Sequence, residues 1–396
     1  MGLMTEYIAK KLSANGLEQE LLELIRQYNS IRKTYLLVMT SAIHKQNIPD
    51  VALSQEDFYM VADMLRGLKD QNKADIYLET PGGRGEAAEE IVEFLRKKFE
   101  YVSFVISGEA KSAGTIMVLS GDEILMTQTG SLGPIDAQMR IGRSTISAYD
   151  YMEWVTEKVK EAEEKKCLNP FDATIIAQIN PGELKGVNHS LRFAEDLVGK
   201  WLKEYKFKHW TVTESSKTPV TEEMRVERAK KIAAKLIDHG TWRSHGRSLK
   251  IDDLDAIGLK INAVDKDPAL SDVVYRIQAV CRLLFSVSNT YKIFATADEK
   301  ILKSATPVQE ASPIPPSSSQ KVIDVLPIVC KCGKCQKEYK LYVKLSNNSE
   351  QEAKLKATGF SRFPRDNRVT CGCGFVNDLS GVRNDIEVKT RMKVLD

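Results

Sequence analysis

Two short β-rich segments, each followed by a helical pattern, constrain the fold of this chain more than any other feature. ADIYLET (residues 74–80) precedes the turn PGGRG and a helical pattern that runs to Leu95. YVSFVIS (101–107) precedes a second apolar helical pattern and the strand-like DEILM. Strands that alternate with helices are joined by right-handed crossovers. The sequence therefore predicts an α/β fold with a mainly parallel sheet.

Composition excludes some classes of protein. The chain has 396 residues, is 42% hydrophobic and has a formal net charge of +3, so bulk charge indicates neither a nucleic-acid-binding nor a membrane-surface protein. The N-terminal residues carry charges throughout and contain no apolar run of the length that a signal peptide or a membrane span requires. We therefore expect a cytoplasmic protein without a membrane partner.

Changes in pattern predict four segments. Leucines at helical spacing between residues 16 and 45 indicate an N-terminal helical segment, residues 1–53, and Ser54 is the expected start of the next helix. Residues 54–300 form the predicted α/β domain, which closes with a helix over 272–289. A Pro- and Ser-rich linker over 301–320 leads to a cysteine-containing domain over 321–396.

Ser112 stands directly after a predicted strand, among small residues and at the start of a helix. A serine at this position is commonly a helix cap. A serine nucleophile has a further requirement, because backbone N–H groups must hold the oxyanion that forms when it attacks. Ala113 would supply one N–H group, and Gly82 or Gly83 of the PGG turn the other, because glycines let the backbone approach a bound group.

The succession of strand, PGG turn, helix, strand and serine resembles the Clp protease and crotonase superfold. SGEAKSAGTIMVLSGDEILM and GSLGPIDAQ are similar to the serine dehydrogenase proteinase family, relatives of signal peptide peptidase A and the Clp proteolytic subunit, over residues 55–265. The resemblance implies a serine peptidase that cleaves peptide or protein substrates through Ser112. It also implies a homo-oligomer, because helices after this motif build subunit contacts in related folds.

The resemblance leaves open which residue activates Ser112. Ala137 occupies the position of the relatives' histidine, beside Asp136, and Gly246 occupies that of their aspartate, beside His245. These neighbours indicate an exchanged arrangement in which His245 is the base and Asp136 orients it. The rival is a serine–lysine dyad with Lys158 or Lys160, although the start of that helix, SAYDYMEW, contains no lysine.

Two other functions stay open for the same fold. A crotonase-like acyl-CoA enzyme would use the same oxyanion geometry but would leave Ser112 without a role. A catalytically inactive scaffold would act in assembly or recognition through its C-terminal domain.

Cysteines near the C-terminus predict a structural zinc site. CGKC and CGCG supply the expected ligands Cys332, Cys335, Cys371 and Cys373, with Cys330 as an alternative to Cys332. Free or redox-active thiols are the alternative. The strand-like segments around these turns predict a zinc ribbon whose lysines suit a protein or nucleic-acid partner, and Cys167 and Cys281 are expected to be core thiols.

Overall fold

The computed structural model describes residues 2–45, 48, 50–135, 138–141, 144–213, 216–305, 324–390 and 392–395, and only the backbone of residues 139–141, 144–145 and 239. The chain forms two compact units, Met1–Val308 and Gln309–Asp396. Most of the predicted linker lies outside the described residues.

A seven-stranded sheet forms the centre of the N-terminal unit, in the order β11-β10-β1-β2-β3-β5-β9. Strands β1, β2, β3, β5 and β9 pair in parallel, whereas β10 and β11 add antiparallel neighbours at one side. The strands of this unit are β1 (Tyr35–Ser41), β2 (Lys73–Glu79), β3 (Tyr101–Ile106), β4 (Glu109–Ala110), β5 (Glu123–Met126), β6 (Ser131–Leu132), β7 (Gln138–Ile141), β8 (Ser144–Ser147), β9 (Asn262–Ala263), β10 (Thr290–Ala295) and β11 (Lys300–Ser304). The predicted α/β fold with a mainly parallel sheet is confirmed.

Helices cover both faces of this sheet. Along β1, Leu36 and Val38 belong to one apolar cluster while Leu37 and Met39 belong to the other, as the two-residue period of a strand requires. The helices are α1 (Leu3–Ala9), α2 (Ala14–Arg32), α3 (Gln55–Arg66), α4 (Gly85–Lys98), α5 (Ala113–Val118), α6 (Ala148–Lys165), α7 (Pro170–Ile176), α8 (Pro181–Trp201), α9 (Glu222–Ile237), α10 (His239–Trp242), α11 (Ile251–Ile257) and α12 (Pro268–Val287).

The prediction of an N-terminal helical segment was wrong after Arg32. Helix α2 ends there because Lys33 takes a left-handed conformation with φ 57°, and every residue of β1 is buried in the sheet. A continuous apolar run that is buried on both faces has no two-residue alternation, so its pattern does not separate strand from helix. Residues 35–41 therefore belong to the central sheet and not to a separate segment before residue 54.

Other boundaries agree with the sequence. Helix α3 begins directly after Ser54, and α11 ends at Gly258, which has φ 91° and is followed by β9. Cys281 is a buried thiol as expected, but Cys167 is exposed just after α6, so the prediction of a core thiol there was wrong. In the part of the chain that the structure describes, no helix combines the length and apolarity needed to cross a bilayer.

The C-terminal unit is small and built mainly from hairpins. Its elements are β12 (Val325–Lys331), β13 (Glu338–Lys344), β14 (Ser361–Arg362), β15 (Arg368–Thr370), β16 (Val376–Asp378), α13 (Ser349–Ala357) and α14 (Ser380–Thr390). Strand β12 pairs antiparallel with β13, and β15 pairs antiparallel with β16. A small apolar cluster around Leu341, Val343 and Phe363 is the core of the unit.

Candidate active site

Ser112 lies between β4 and α5 in a backbone conformation that only glycine adopts readily. Its φ is 48° and its ψ is −117°, and its half-buried side chain makes no capping hydrogen bond to α5. A non-glycine residue in such a region costs on the order of 1–3 kcal/mol, which the surrounding structure must offset. Ser112 therefore does not act as a helix cap. Its strained backbone instead places the serine hydroxyl at the start of α5.

The PGG turn, which directly follows β2 and Thr80, packs against this serine. Gly82 has φ 98°, and a Cβ there would lie 2.7 Å from Ser112 Cβ. Gly83 has φ 151°, and a Cβ there would lie 2.3 Å from the carbonyl oxygen of Leu53. Both positions therefore require glycine.

Hydrogen bonds hold the turn on both sides. Leu53 N–H donates to the Gly82 carbonyl over 2.7 Å, and Arg84 N–H donates to the Leu53 carbonyl over 3.0 Å. Gly82 N–H donates to Thr80 Oγ1 over 3.2 Å. These bonds leave the turn little freedom to move relative to β2.

Two backbone donors beside Ser112 have no acceptor among the described residues, namely the N–H groups of Gly83 and Ala113. Ala113 is the first residue of α5, whose N-terminal N–H groups have no partner within the helix. Because Gly82 N–H already donates to Thr80, Gly83 is the better candidate of the two glycines named from the sequence. Gly82 instead allows the turn to approach Ser112.

A cavity of about 610 Å³ opens in front of Ser112. The PGG turn, the start of α5 and one face of α8 line it, together with the loop that carries His245. The structure thus brings Gly83, Ser112, Ala113 and His245 to one cavity, although His245 is 133 positions from Ser112 in the sequence. A hydroxyl, backbone donors and an imidazole are the groups that acyl transfer needs.

Asp136 lies outside the described residues. Ile135 and Gln138, on either side of it, both line the cavity.

His189, which is not among the residues predicted from the sequence, also lines the cavity. It is an exposed residue on α8, and Phe193, one helical turn further along, lines the same cavity. No motif surrounds His189, so only the packing of α8 over the site reveals this position.

The two lysines of the rival dyad do not line the cavity. Lys158 forms ion pairs with Glu161 over 2.9 Å and with Asp172 over 2.8 Å, and hydrogen bonds to these carboxylates raise its pKa. Lys160 is exposed on the same helix, α6. A lysine must lose its proton to act as a base, so these surroundings oppose a catalytic role for Lys158.

In the C-terminal unit, the four predicted cysteine ligands come together. The Sγ atoms of Cys332, Cys335, Cys371 and Cys373 lie within 4.8 Å of one another. Cys332 Sγ and Cys373 Sγ are 3.8 Å apart, close to the ~3.8 Å edge of a tetrahedron with Zn–S bonds of about 2.3 Å. Cys330, the alternative ligand, lies on β12 and is not part of this group, so a tetrahedral metal site fits the CGKC and CGCG cysteines.

Comparison with known proteins gives a family match over the N-terminal half of the chain. Residues 3–188 match the model of the family described as ClpP-like SDH-type serine proteinase. The uncharacterized protein MJ1495 of Methanocaldococcus jannaschii is 26% identical over 249 residues, which cover 61% of this chain and 71% of that protein. The uncharacterized protein MJ0137 of the same organism is 26% identical over 139 residues, which cover 33% of this chain and 48% of that protein.

Solved structures of one protease are more distantly similar. A serine-to-alanine mutant of the 1510-N membrane-bound stomatin-specific protease matches with a TM-score of 0.31 and 14% identity, over 56% of this chain and 79% of that chain. A lysine-to-alanine mutant of the same protease, in complex with a substrate peptide, matches with a TM-score of 0.33 and 14% identity, over 65% of this chain and 84% of that chain. Similarities this low carry no weight for the site.

Proposed function

Because residues 3–188 match the model of the family described as ClpP-like SDH-type serine proteinase, we propose that this chain is a peptidase that cleaves peptide bonds through Ser112. One observation carries the assignment of Ser112. Its strained backbone, with φ 48° and ψ −117°, places it against Gly82 and beside two N–H groups without an acceptor in the described structure. Neither a helix cap nor a packing serine needs that conformation.

In the proposed reaction, Ser112 Oγ attacks the carbonyl carbon of the scissile bond while His245 takes the hydroxyl proton. The N–H groups of Gly83 and Ala113 donate to the oxyanion that forms. His245 then gives the proton to the leaving amine, and the acyl group stays on Ser112 as an ester. Water attacks this ester with His245 again as the base, which releases the carboxylic acid and restores the serine.

His245 is the better base of the two histidines in the cavity. It is half-buried in a loop next to the β6 segment, whereas His189 is exposed on α8. Burial limits the orientations of an imidazole, and a catalytic base must be held in one orientation. Asp136 is proposed, from the sequence, as the carboxylate that orients His245.

A fluorophosphonate probe followed by mass spectrometry tests this proposal. We expect one adduct on the peptide that contains Ser112, no adduct in Ser112→Ala, and full labelling of Ser190→Ala, which alters another serine lining the same cavity. His245→Ala should lose most of the labelling, whereas Lys158→Ala and Lys160→Ala should keep it. Absence of an adduct in the wild type would contradict the peptidase and favour the inactive scaffold, and loss of labelling only in His189→Ala would assign the base to His189.

We also propose that Cys332, Cys335, Cys371 and Cys373 bind one structural zinc ion. The four thiols suit Zn²⁺, and the apolar cluster of the unit is small, so metal binding would supply much of its folding free energy. Peptide hydrolysis by Ser112 needs no metal in this scheme.

The zinc-ribbon unit is proposed to recognise an anionic substrate or partner, either an acidic protein segment or nucleic acid. Residues 309–396 contain 15 lysines and arginines against 10 aspartates and glutamates. A cavity of about 470 Å³ is lined by Lys340, Arg362 and Arg368, for which the described part of the chain shows no ion pair, and by Glu338, whose carboxylate pairs with Lys331. Unpaired cations around one cavity favour an anionic ligand.

The homo-oligomer and the cytoplasmic location stay predictions. Native mass spectrometry of the purified chain tests the first, and fractionation of the source cells tests the second.

A further inference from the structure

The residue that precedes Ser112 is a buried lysine, Lys111, with an exposed fraction of 6%. Its side chain passes directly over Gly133, where a Cβ would lie 2.8 Å from Lys111 Cδ. Burial lowers the pKa of Lys111, and only partner groups that accept hydrogen bonds make such a position tolerable. Lys111 does not line the cavity in front of Ser112.

The three hydrogen-bond donors of the Lys111 ammonium group match three acceptors on two other segments. Lys111 Nζ donates to the Leu132 carbonyl over 3.2 Å, to the Arg247 carbonyl over 3.2 Å and to Ser248 Oγ over 2.9 Å. Leu132 belongs to β6, three residues before the cavity-lining Ile135, and Arg247 lies two residues after His245. One side chain therefore connects the chain segments that carry Ser112, Ile135 and His245.

Other contacts between these segments lie further from His245. Leu132 and Leu249 exchange both backbone hydrogen bonds, over 3.1 and 2.9 Å. Lys250 Nζ donates to the carbonyls of Thr129 and Gly130, each over 2.9 Å. These bonds hold residues 249–250, whereas Lys111 binds residues 247–248.

Lys111 does not have the surroundings of a second base. An amine that donates three hydrogen bonds is an ammonium ion and has no lone pair to accept a proton. Its contacts also reach the segments of the site and not the cavity itself. Lys111 therefore affects where the segments of the site lie and does not transfer protons.

We infer that Lys111 is a positioning residue, which holds the His245 loop at a fixed place relative to Ser112 by bonding Arg247, Ser248 and Leu132. This inference rests on the proposed roles of Ser112 and His245. Because Lys111 is adjacent to the nucleophile, a loop that loses its bonds to Lys111 loses a fixed position relative to the serine hydroxyl. A displacement of about 1 Å in such a pair lowers a rate by about 100-fold.

The matched variants are Lys111→Met and Lys250→Met. Both remove an ammonium group that donates to carbonyls of the 129–132 segment, but only the first releases residues 247–248. We expect Lys111→Met to lower the rate constant of fluorophosphonate labelling by about 10- to 100-fold with little change in probe affinity. Lys250→Met should stay within about threefold of the wild type, and Lys111→Arg, which restores donors, should recover part of the rate.

A second measurement does not depend on activity. The chain has 5 histidines, so the imidazole resonances of His245 can be assigned by comparison with His245→Gln. In Lys111→Met they should broaden or shift toward those of a mobile histidine, and in Lys250→Met they should keep their wild-type positions. Unchanged His245 resonances in folded Lys111→Met would overturn the positioning role, even if the wild type were not labelled and the peptidase proposal had failed.

Discussion

At the scale of single residues, the site depends on a contact between two backbones. Gly82 approaches Ser112 so closely that a methyl group would overlap its Cβ, and Ser112 itself keeps a strained φ of 48°. Strain of this kind persists only where the neighbouring structure determines the conformation. The bonds from Leu53 and Arg84 to the PGG turn provide that constraint.

Gly82→Ala should therefore damage both stability and labelling. The new Cβ would lie 2.7 Å from Ser112 Cβ and 2.8 Å from the Lys111 carbonyl, at a φ of 98° that alanine rarely adopts. We expect a loss of roughly 2 kcal/mol or more in the free energy of unfolding, measured in urea, and labelling below a tenth of the wild-type rate. Gly67→Ala is the control, because nothing lies within 4 Å of its Cβ, and it should change neither quantity appreciably.

The buried position of Glu79 predicts that the stability of the protein depends on pH. It is the last residue of β2, and Arg282 donates to its carboxylate over 2.8 Å. Burial outweighs the attraction of Arg282 and raises the pKa of Glu79 from 4.5 to about 7. A carboxyl group with a raised pKa keeps its proton in the folded protein at a pH where the unfolded chain has lost it.

The wild type should lose stability as the pH rises from about 4.5 to about 7. Over that window the folded state binds more protons than the unfolded state, so the free energy of unfolding falls, by at most roughly 1.4 kcal/mol for each pH unit. Urea unfolding at pH 5 and at pH 8 should show this fall in the wild type and in Glu100→Gln, which alters an exposed glutamate. A fall of the same size in Glu79→Gln would contradict the assignment.

At the scale of secondary-structure elements, a buried ion pair joins α3 to β10. Lys292 Nζ contacts Asp57 over 2.6 Å and donates to the Ala52 carbonyl over 2.7 Å, and both charged side chains are almost fully buried. Residues 52–57 also include Leu53, which bonds the PGG turn. The pair therefore supports the segment that bonds the PGG turn.

Lys292→Met should destabilise the protein strongly, because it leaves the Asp57 carboxylate buried without its partner. The expected loss is about 3–5 kcal/mol in the free energy of unfolding, and adding Asp57→Asn should recover much of it by removing the unpaired charge. Arg66→Met is the control. Its ion pair with Asp63 spans 4.0 Å between highly exposed side chains, so its loss should cost less than about 0.5 kcal/mol.

At the scale of the whole molecule, the two units have different sources of stability. The N-terminal unit buries two large apolar clusters on either side of its sheet, whereas the C-terminal unit has one small cluster beside four cysteines. A small domain with few buried apolar residues commonly needs a metal or disulfides to fold.

Removal of zinc should therefore unfold one unit and spare the other. A strong chelator should release one zinc ion per chain and make residues 324–395 sensitive to protease, while Ser112 labelling continues. Cys371→Ser should lose the metal, and Cys330→Ser should retain it, because Cys330 lies outside the group of four thiols. A folded C-terminal unit without metal would contradict the zinc ribbon.

Much of the fold and of the two sites was predictable because the signals are local. The alternation of strands and helices, the adjacent glycines, the small residues around Ser112 and the spacing of CGKC and CGCG each report backbone geometry within a few residues. These patterns predicted the α/β fold, the candidate nucleophile and the four cysteines that come together as candidate metal ligands.

Tertiary structure decided what depends on distant segments. It placed β1 inside the sheet, where burial on both faces hides the strand period, and it brought His189 into the cavity through the packing of α8. It also formed the hydrogen bond from Gly82 N–H to Thr80 Oγ1 and the one from Lys111 Nζ to the carbonyl of Arg247, which is 136 positions away. No local pattern encodes such contacts, because they arise only when separate elements pack against one another.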